Sequence, residues 1–148
     1  MQLILWRHAD AEMSAPDKSR HLSALGVEQA RGMAAWLKPR LPENLRILVS
    51  PALRTRETAD ALQMNYVMTN ELYTETDSDA LLRLAAWPEG ASDVLLIGHQ
   101  PMLGELAARV VTGQAHAWDI DKASVWWFES RRVPGHATVK AVLSPALL

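Results

Sequence analysis

Three short apolar runs constrain the fold of this chain more than any other feature of its sequence. They cover residues 2–6, 45–49 and 93–97, and each has the length and the continuous apolar character of a strand buried on both faces. A strand of that kind needs a layer of helices on each side, and helical patterns do separate the three runs. The sequence therefore predicts the α/β class, with a mostly parallel central sheet inside a three-layer α/β/α sandwich.

Helix-forming patterns fill most of the remaining chain. They cover approximately residues 24–41, 51–64, 77–87 and 101–111. Ser23 has the side chain of a typical N-cap for the first of these helices. Ser50-Pro51 predicts the start of the second helix, with Ser50 as its N-cap and Pro51 as its first residue, because proline has no N–H to leave unpaired there.

Further patterns predict a short strand near residues 66–68 and a hairpin of residues 124–129 and 137–143 with its turn at Pro134 and Gly135. The adjacent residues Trp126 and Trp127 fall in one strand of this hairpin, so they must point to opposite faces of the sheet. We expect one of the two to be exposed enough to help dock a partner.

The composition indicates a single globular domain over residues 1–148. Apolar residues make up 49% of the chain and charged residues 22%, a balance that excludes a disordered or low-complexity protein. The formal net charge of −2 provides no broad basic field, so we predict that nucleic acid is not a partner. No apolar run approaches the ~20 residues of a membrane span, and Arg7 and His8 interrupt the first run, so we expect neither a membrane partner nor a signal peptide.

The chain contains no cysteine. This excludes disulfides, thiolate metal sites and cysteine nucleophiles, and it suits a reducing compartment. We therefore expect a cytoplasmic protein.

Reactive side chains follow three of the predicted strands. Arg7 and His8 end the first strand, Arg54 follows the second strand closely, and His99 comes directly after the strand of residues 93–97. Because ligands of open parallel sheets bind beyond the carboxyl ends of the strands, we expect these four side chains to converge on one site.

Two guanidiniums and two imidazoles at one site are typical of phosphate chemistry. Arg7 and Arg54 can each hold phosphate oxygens in a fork geometry. A neutral histidine can attack phosphorus through one ring nitrogen if a hydrogen bond fixes the other, and a second histidine can stabilise charge in the transition state. Nothing in this set requires a metal or another cofactor, and Asp119 and Asp121 alternate without further ligands, so we predict neither.

Four motifs resemble those of the histidine phosphatase superfamily, whose members have the phosphoglycerate mutase-like fold. Residues 5–9 (Leu-Trp-Arg-His-Ala) are similar to its Arg-His-Gly signature, and residues 22–30 are similar to its Leu-Thr-x-x-Gly-x-x-Gln-Ala segment. Residues 50–58 match its Ser-Pro-x-x-Arg-x-x-x-Thr segment, and residues 97–99 (Ile-Gly-His) lie where its second histidine is expected. The short length and the loop before the second motif make the chain similar to the SixA-type phosphohistidine phosphatases.

The resemblance implies a role for each matched residue. His8 would be the nucleophile that becomes phosphorylated, and Arg7, Arg54 and His99 would hold the phosphoryl group. Arg20, which shortly precedes the second motif, is a further candidate for contact with phosphate or substrate.

The general acid of the larger family members lacks a recognisable motif in this chain. Those members place a glutamate after the third strand to protonate an alkoxide leaving group. Glu71 and Glu75 follow that strand here and are the two candidates, although both are also typical of a solvated loop. A phosphohistidine substrate needs such an acid less, because a protonated imidazole is already a good leaving group.

These observations predict a metal-independent phosphatase that works through a phosphohistidine intermediate on His8. Two helices and a strand take up most of the segment between Arg54 and Asp93, which leaves little chain for a lid. We therefore expect an open site that accepts phosphohistidine on a signalling or phosphotransfer protein. One alternative is the same chemistry on a small phosphomonoester such as a sugar phosphate or nucleotide; another is a non-catalytic module that binds phosphate or phosphoprotein.

Overall fold

The computed structural model describes residues 1–131, 133 and 135–148. The strands in this part of the chain are β1 (Gln2–Arg7), β2 (Leu45–Val49), β3 (Val67–Met68), β4 (Asp93–Gly98), β5 (Val125–Ser130) and β6 (Ala137–Leu143). The α-helices are α1 (Ala24–Leu37), α2 (Leu53–Asp60), α3 (Ser78–Ala85) and α4 (Met102–Thr112). Single 3-10 turns lie at Asp17–Ser19, Lys38–Arg40, Asn70–Leu72 and Pro145–Leu147.

The strands form one sheet in the order β3-β2-β4-β1-β5-β6. Neighbours among the first four are parallel, whereas β5 is antiparallel to both β1 and β6. Ile97 pairs with Trp6 on one side and with Val49 on the other, so the carboxyl ends of β1, β2 and β4 lie side by side. The predicted mostly parallel sheet is confirmed, and it brings together the three strand ends that precede the candidate site residues.

The two faces of the sheet pack against different helix pairs. On one face, Ile4, Trp6 and Ile97 pack with buried residues of α1 and α2. On the other face, Leu3 and Leu5 pack with buried residues of α3 and α4. These strand side chains are fully buried, and burial of each such side chain is worth about 1.5–3 kcal/mol relative to exposure. The three-layer α/β/α sandwich is therefore confirmed.

The start of α2 differs from the prediction. Neither Ser50 nor Pro51 belongs to the helix, which begins at Leu53 after Ala52, an N-cap residue that makes no side-chain hydrogen bond. The backbone N–H of Ser50 donates to the carbonyl oxygen of Ile97 at 3.1 Å, which continues the pairing of β2 with β4. The local capping signal is therefore overridden by pairing within the sheet.

The start of α1 agrees with the prediction, because the Oγ of Ser23 accepts the N–H of Gly26 at 3.0 Å. The helix ends at Leu37 rather than near residue 41, because the chain tightens there into a 3-10 turn that contains Pro39. The α2 helix also ends early, at Asp60, and Gln63 follows with a φ of 54° in the left-handed region.

The predicted hairpin is formed by β5 and β6, which pair from Val125 opposite Leu143 to Ser130 opposite Ala137. Pro134, at the predicted turn, lies outside the described residues. Trp126 and Trp127 point to opposite faces, as predicted: Trp127 is buried and lies edge-on to Trp36 at 6.4 Å, and Trp126 is half-buried beside Trp118 at 5.6 Å. Each of the two indole rings therefore packs against another tryptophan of the same protein.

A glycine lets the loop after β1 approach α1 closely. A Cβ at Gly26 would lie 1.9 Å from the carbonyl oxygen of Asp10, a distance that two non-bonded heavy atoms cannot adopt. The backbone N–H of Ser23 donates to the same oxygen at 3.0 Å, and Ser23 Oγ donates to Asp10 Oδ2 at 2.6 Å. The first turn of α1 thus fixes the loop that directly follows His8.

Candidate active site

The residues predicted to converge lie around one cleft at the carboxyl ends of the parallel strands. Arg7 is the last residue of β1 and His8 follows it, His99 follows β4, and Arg54 lies in the first turn of α2. The backbone N–H of His8 donates to the carbonyl oxygen of Gly98 at 3.0 Å, which ties the two histidine-bearing strand ends together. The cleft has a volume of about 810 Å³ and is lined by Arg7, His8, Asp17, Arg20, Arg54, Tyr73, Glu75, Thr76, Asp77, His99, Gln100, Pro101, Met102, Glu105 and Lys122.

The ring of His8 is held in one orientation by its own backbone neighbour. Its Nδ1 lies 2.7 Å from the carbonyl oxygen of Ala9, and since a carbonyl oxygen only accepts, Nδ1 carries the proton. In the neutral ring, Nε2 therefore keeps its lone pair. Burial lowers the pKa of His8 to about 4, and the positive charges of Arg54 and Arg7 act in the same direction. The imidazole is consequently neutral at pH 7.

His99 faces His8 across the floor of the cleft, with 5.3 Å between the ring centroids. Its Nδ1 lies 3.3 Å from Nη2 of Arg54, and its Nε2 lies 2.7 Å from the Oγ of Ser50. Burial lowers the pKa of His99 to about 3, and the repulsion that a protonated ring would feel from protonated His8 and from Arg54 acts in the same direction. Both histidines keep about 7% of their surface exposed, so they remain accessible from the cleft.

The two arginines are held by backbone carbonyl groups and retain donors for a ligand. Nη1 of Arg7 donates to the carbonyl oxygen of Ile120 at 2.6 Å, and Nη1 of Arg54 donates to the carbonyl oxygen of Asp17 at 2.9 Å. The Nε atoms of both arginines are buried and have no hydrogen-bond partner among the described residues. Buried donors are normally satisfied, so these atoms indicate capacity for an oxyanion.

An acidic side chain that the sequence reasoning missed contacts this cationic cluster. The Oδ2 of Asp17 accepts from Nη2 of Arg54 at 3.1 Å and from the hydroxyl of Tyr73 at 3.1 Å, and its Oδ1 accepts from Nη1 of Arg20 at 3.4 Å. Burial opposes ionisation of Asp17, but the charge of Arg54 and these hydrogen bonds outweigh it and lower the pKa of the carboxyl. Asp17 thus accepts hydrogen bonds from donors that a phosphoryl oxygen could also use.

Tyr73 was missed as well. Its ring lies edge-on to that of His99 at 5.7 Å, and it comes from the segment between β3 and α3. Neither Asp17 nor Tyr73 belongs to a periodic pattern, and the two meet across 56 positions of sequence. The Asp-rich loop before Arg20 was the available signal for Asp17; we find none for Tyr73.

The structure separates the two candidate acids. Glu75 lines the cleft, whereas Glu71 is exposed in the 3-10 turn and is not among the described residues that line it. Arg20 does line the cleft, and its Nε donates to the carbonyl oxygen of Glu12 at 2.8 Å. Lys122 also lines the cleft, and its Nζ pairs with Oδ1 of Asp10 at 2.7 Å.

A comparison with known protein families decides the family. The sequence model of the family described as the histidine phosphatase superfamily (branch 1) matches residues 3–77 of this chain. This half of the chain carries Arg7, His8 and Arg54. This chain belongs to the histidine phosphatase superfamily. Within the superfamily it is similar to the phosphohistidine phosphatase SixA of Escherichia coli (strain K12), with 34% identity over 123 residues that cover 77% of this chain and 76% of the relative.

A further relative and a solved structure agree with this placement. The phosphohistidine phosphatase SixA homolog of Haemophilus influenzae is 33% identical over 128 residues, which cover 74% of this chain and 77% of the homolog. The solved structure of the protein histidine phosphatase SixA complexed with tungstate superimposes with a TM-score of 0.75 at 30% identity and covers 99% of both chains. The likeness therefore extends beyond the motifs to the whole sheet and its helices.

The described residues contain neither a membrane-spanning helix nor a cluster of metal-ligating side chains. No described helix combines the length and the apolar character needed to cross a bilayer. No group of three or more histidine, aspartate or glutamate side chains in the described part of the chain is arranged to hold a metal ion. Asp121 instead accepts the backbone N–H of Lys122 at 3.0 Å through Oδ1.

Proposed function

We propose that this protein is a phosphatase that removes the phosphoryl group from phosphohistidine on a signalling or phosphotransfer protein, with His8 as the nucleophile. The observation that carries the proposal is the state of His8: a neutral ring whose Nδ1 is fixed by the carbonyl oxygen of Ala9, beside two guanidiniums and a second imidazole. We further propose that residues 1–148 act as one domain. A cytoplasmic location stays a prediction.

The chemistry divides into two displacements at phosphorus. In the first, the Nε2 lone pair of His8 forms a bond to phosphorus while the bond between phosphorus and the substrate imidazole breaks. The electron pair of the broken bond stays on the substrate imidazole, which keeps the proton on its other nitrogen and leaves as a neutral ring. In the second, a water oxygen forms a bond to phosphorus while the bond from phosphorus to Nε2 of His8 breaks, and the electron pair of that bond returns to Nε2. The attacking water releases a proton to bulk solvent, and phosphate departs. Splitting the reaction in this way replaces one difficult step with two easier ones.

The charge of the transferring phosphoryl group is balanced by Arg7 and Arg54. Their buried Nε atoms and the forked guanidinium geometry suit the oxygens of phosphate. Because two fixed cations already stand at the site, we expect a chelator to leave the rate unchanged.

The choice of substrate class rests on the relatives and on the leaving group. The two curated relatives are named as a phosphohistidine phosphatase and a homolog of one, and a protonated imidazole leaves without help from a strong general acid. In the cleft, the Asp17 carboxyl is ionised and bound by Arg54, so it is a poor proton donor.

A second candidate function is hydrolysis of a small phosphomonoester, because Glu75 lines the cleft. An alkoxide leaving group needs a proton, and a general acid contributes about 10²- to 10⁴-fold. If esters are the substrates, Glu75→Gln lowers their hydrolysis by ~10²-fold or more, while the matched variant Glu71→Gln, outside the cleft lining, leaves it unchanged. If phosphohistidine is the substrate, both variants keep their activity.

The test measures phosphate release in chelator-containing buffer from a histidine-phosphorylated carrier protein and from a panel of phosphomonoesters. We expect fast release from the carrier and slow release from the esters. His8→Asn should reduce the rate on the order of 10³-fold or more, whereas His116→Asn, at an exposed histidine outside the cleft, should not change it. Binding of the carrier without turnover would instead indicate a phosphoprotein-binding module.

A further inference from the structure

A completely buried hydroxyl lies behind the second histidine of the site. Ser50 follows β2 directly and has none of its surface exposed. Because α2 begins only at Leu53, Ser50 does not cap the helix. Its Oγ accepts the backbone N–H of Ala52 at 3.3 Å and lies 2.7 Å from Nε2 of His99. The shortest hydrogen bond of this hydroxyl is therefore the one to His99.

The other nitrogen of His99 determines which way the bond to Ser50 runs. Nη2 of Arg54 lies 3.3 Å from Nδ1 of His99, and a guanidinium can only donate. Nδ1 must therefore present its lone pair, so that the proton of the neutral ring is on Nε2. Nε2–H then donates to Ser50 Oγ. The opposite tautomer would place two N–H groups against each other at the contact with Arg54.

We propose that Ser50 is a positioning residue that fixes the tautomer and orientation of His99 and, through Nδ1 of His99, the position of the Arg54 guanidinium. The inference deepens the proposed function, on which its role in catalysis rests. Ser50 touches neither substrate nor the reacting atoms. It acts only through two linked hydrogen bonds: Nε2–H of His99 donates to Ser50 Oγ, and Nη2–H of Arg54 donates to Nδ1 of His99.

The proposal requires an alcohol at position 50 because, among the described residues, Ser50 Oγ is the hydrogen-bond partner of His99 Nε2. In Ser50→Ala, Nε2–H would be buried without this acceptor, and a buried donor left without a partner is unfavourable. The ring can relieve this by moving its proton to Nδ1 or by rotating, and either change breaks the contact with Arg54. Misplacement of a phosphate-binding group by about 1 Å can reduce a rate by about 10²-fold.

The test compares Ser50→Ala with Ser124→Ala. Ser124 is also buried, but its Oγ has no hydrogen-bond partner among the described residues, so its removal deletes a hydroxyl of the same size without this contact. Circular dichroism and the thermal midpoint establish that both variants are folded. The decisive readout is the ¹⁵N NMR signature of the His99 ring in the free protein, assigned by its loss in His99→Asn.

We expect the Nε2–H tautomer of His99 in the natural protein and in Ser124→Ala, and a mixture or the Nδ1–H tautomer in Ser50→Ala. Affinity for tungstate and kcat for phosphohistidine should fall about 10- to 100-fold only in Ser50→Ala. An Nδ1–H tautomer in the natural protein, or an unchanged ring signature in folded Ser50→Ala, would overturn the proposal. If the natural protein shows the expected tautomer but no phosphohistidine turnover, the proposed function fails, and tungstate affinity still decides the role of Ser50.

Discussion

Two neutral imidazoles at the floor of the cleft define the chemistry at the residue scale. Burial is the largest cause of the low pKa values of His8 and His99, and the nearby guanidiniums add to it. Neutral His8 keeps the lone pair of Nε2 for attack on phosphorus, and the arginines supply positive charge for the phosphoryl oxygens. The same cations thus serve both the nucleophile and the phosphoryl group.

The first prediction concerns the titration of these two rings. With pKa values of about 4 for His8 and about 3 for His99, both should remain neutral when the pH is lowered from 7 to 5. In protein unfolded by urea, histidines should titrate near the ordinary value of about 6.5. NMR of ¹⁵N-labelled protein measures both states; protonation of His8 near pH 6.5 in the folded protein would contradict the account.

The second prediction concerns Asp17, whose carboxylate contacts Arg54 at 3.1 Å. Asp17→Asn keeps the size of the side chain but removes a negative charge beside the site of an incoming oxyanion. Tungstate should therefore bind roughly three- to tenfold more tightly, as for a partly exposed charge pair worth about 1 kcal/mol. Isothermal titration calorimetry measures the affinity.

The control for Asp17→Asn is Asp79→Asn, which makes the same change in net charge at an exposed pair with Arg109 away from the cleft lining. It should leave tungstate binding unchanged. Weaker binding in Asp17→Asn would mean that the carboxylate holds Arg54 in place for the ligand instead of competing with it.

At the scale of elements, the loop between β1 and α1 determines where His8 and Arg54 meet. Asp10, in this loop, is bound by Ser23 at the start of α1 and by Lys122 before β5. Further along the same loop, Asp17 contacts Arg54 on α2. Two helices and the segment before β5 therefore support one stretch of irregular backbone, and we expect its position to depend on the close approach at Gly26.

The third prediction follows from that close approach. Gly26→Ala places a Cβ against the carbonyl group of Asp10, which must move, so the free energy of unfolding should fall by several kcal/mol, as for overpacking at a rigid contact. Gly32→Ala, in the same helix, meets only the side chain of Leu148 at 3.4 Å and should stabilise the protein by up to about 1 kcal/mol. Urea unfolding measures both; equal effects would contradict the packing described here.

The elements also show how far the sequence could predict the site. The positions of Arg7, His8, Arg54 and His99 could be predicted because each lies at the end of a buried strand or shortly after it, and parallel strands bring their carboxyl ends together. The role of Ser50 could not be predicted, because its residue type and the following proline give a local helix-cap signal while its contact with His99 spans 49 positions. Such contacts depend on how the strands are paired, which a local pattern does not contain.

At the scale of the whole molecule, folding places two histidines where they cannot easily take up a proton. Between pH 6.5 and 4 the unfolded chain binds more protons than the folded protein at these positions. The stability that depends on neutral His8 and His99 is therefore fully present above pH 6.5 and is lost as the pH falls toward about 4 for His8 and about 3 for His99.

The fourth prediction tests this linkage. The free energy of unfolding should decrease less between pH 7 and pH 5 in the double variant His8→Asn/His99→Asn than in the natural protein. The variant keeps the carboxylates, including Asp17, so the difference isolates the histidines. Urea unfolding at the two pH values provides the measurement, and equal decreases would show that the buried rings do not couple folding to protons.

In the proposed reaction, the phosphoryl group passes through His8. The most direct test mixes the protein with a histidine-phosphorylated carrier, quenches the reaction within milliseconds under alkaline conditions, and locates the phosphoryl group by mass spectrometry. We predict an acid-labile, alkali-stable phosphate on His8 that appears before free phosphate and is absent in His8→Asn. Release of phosphate at the full rate with no phosphate on His8, or from His8→Asn, would contradict the account.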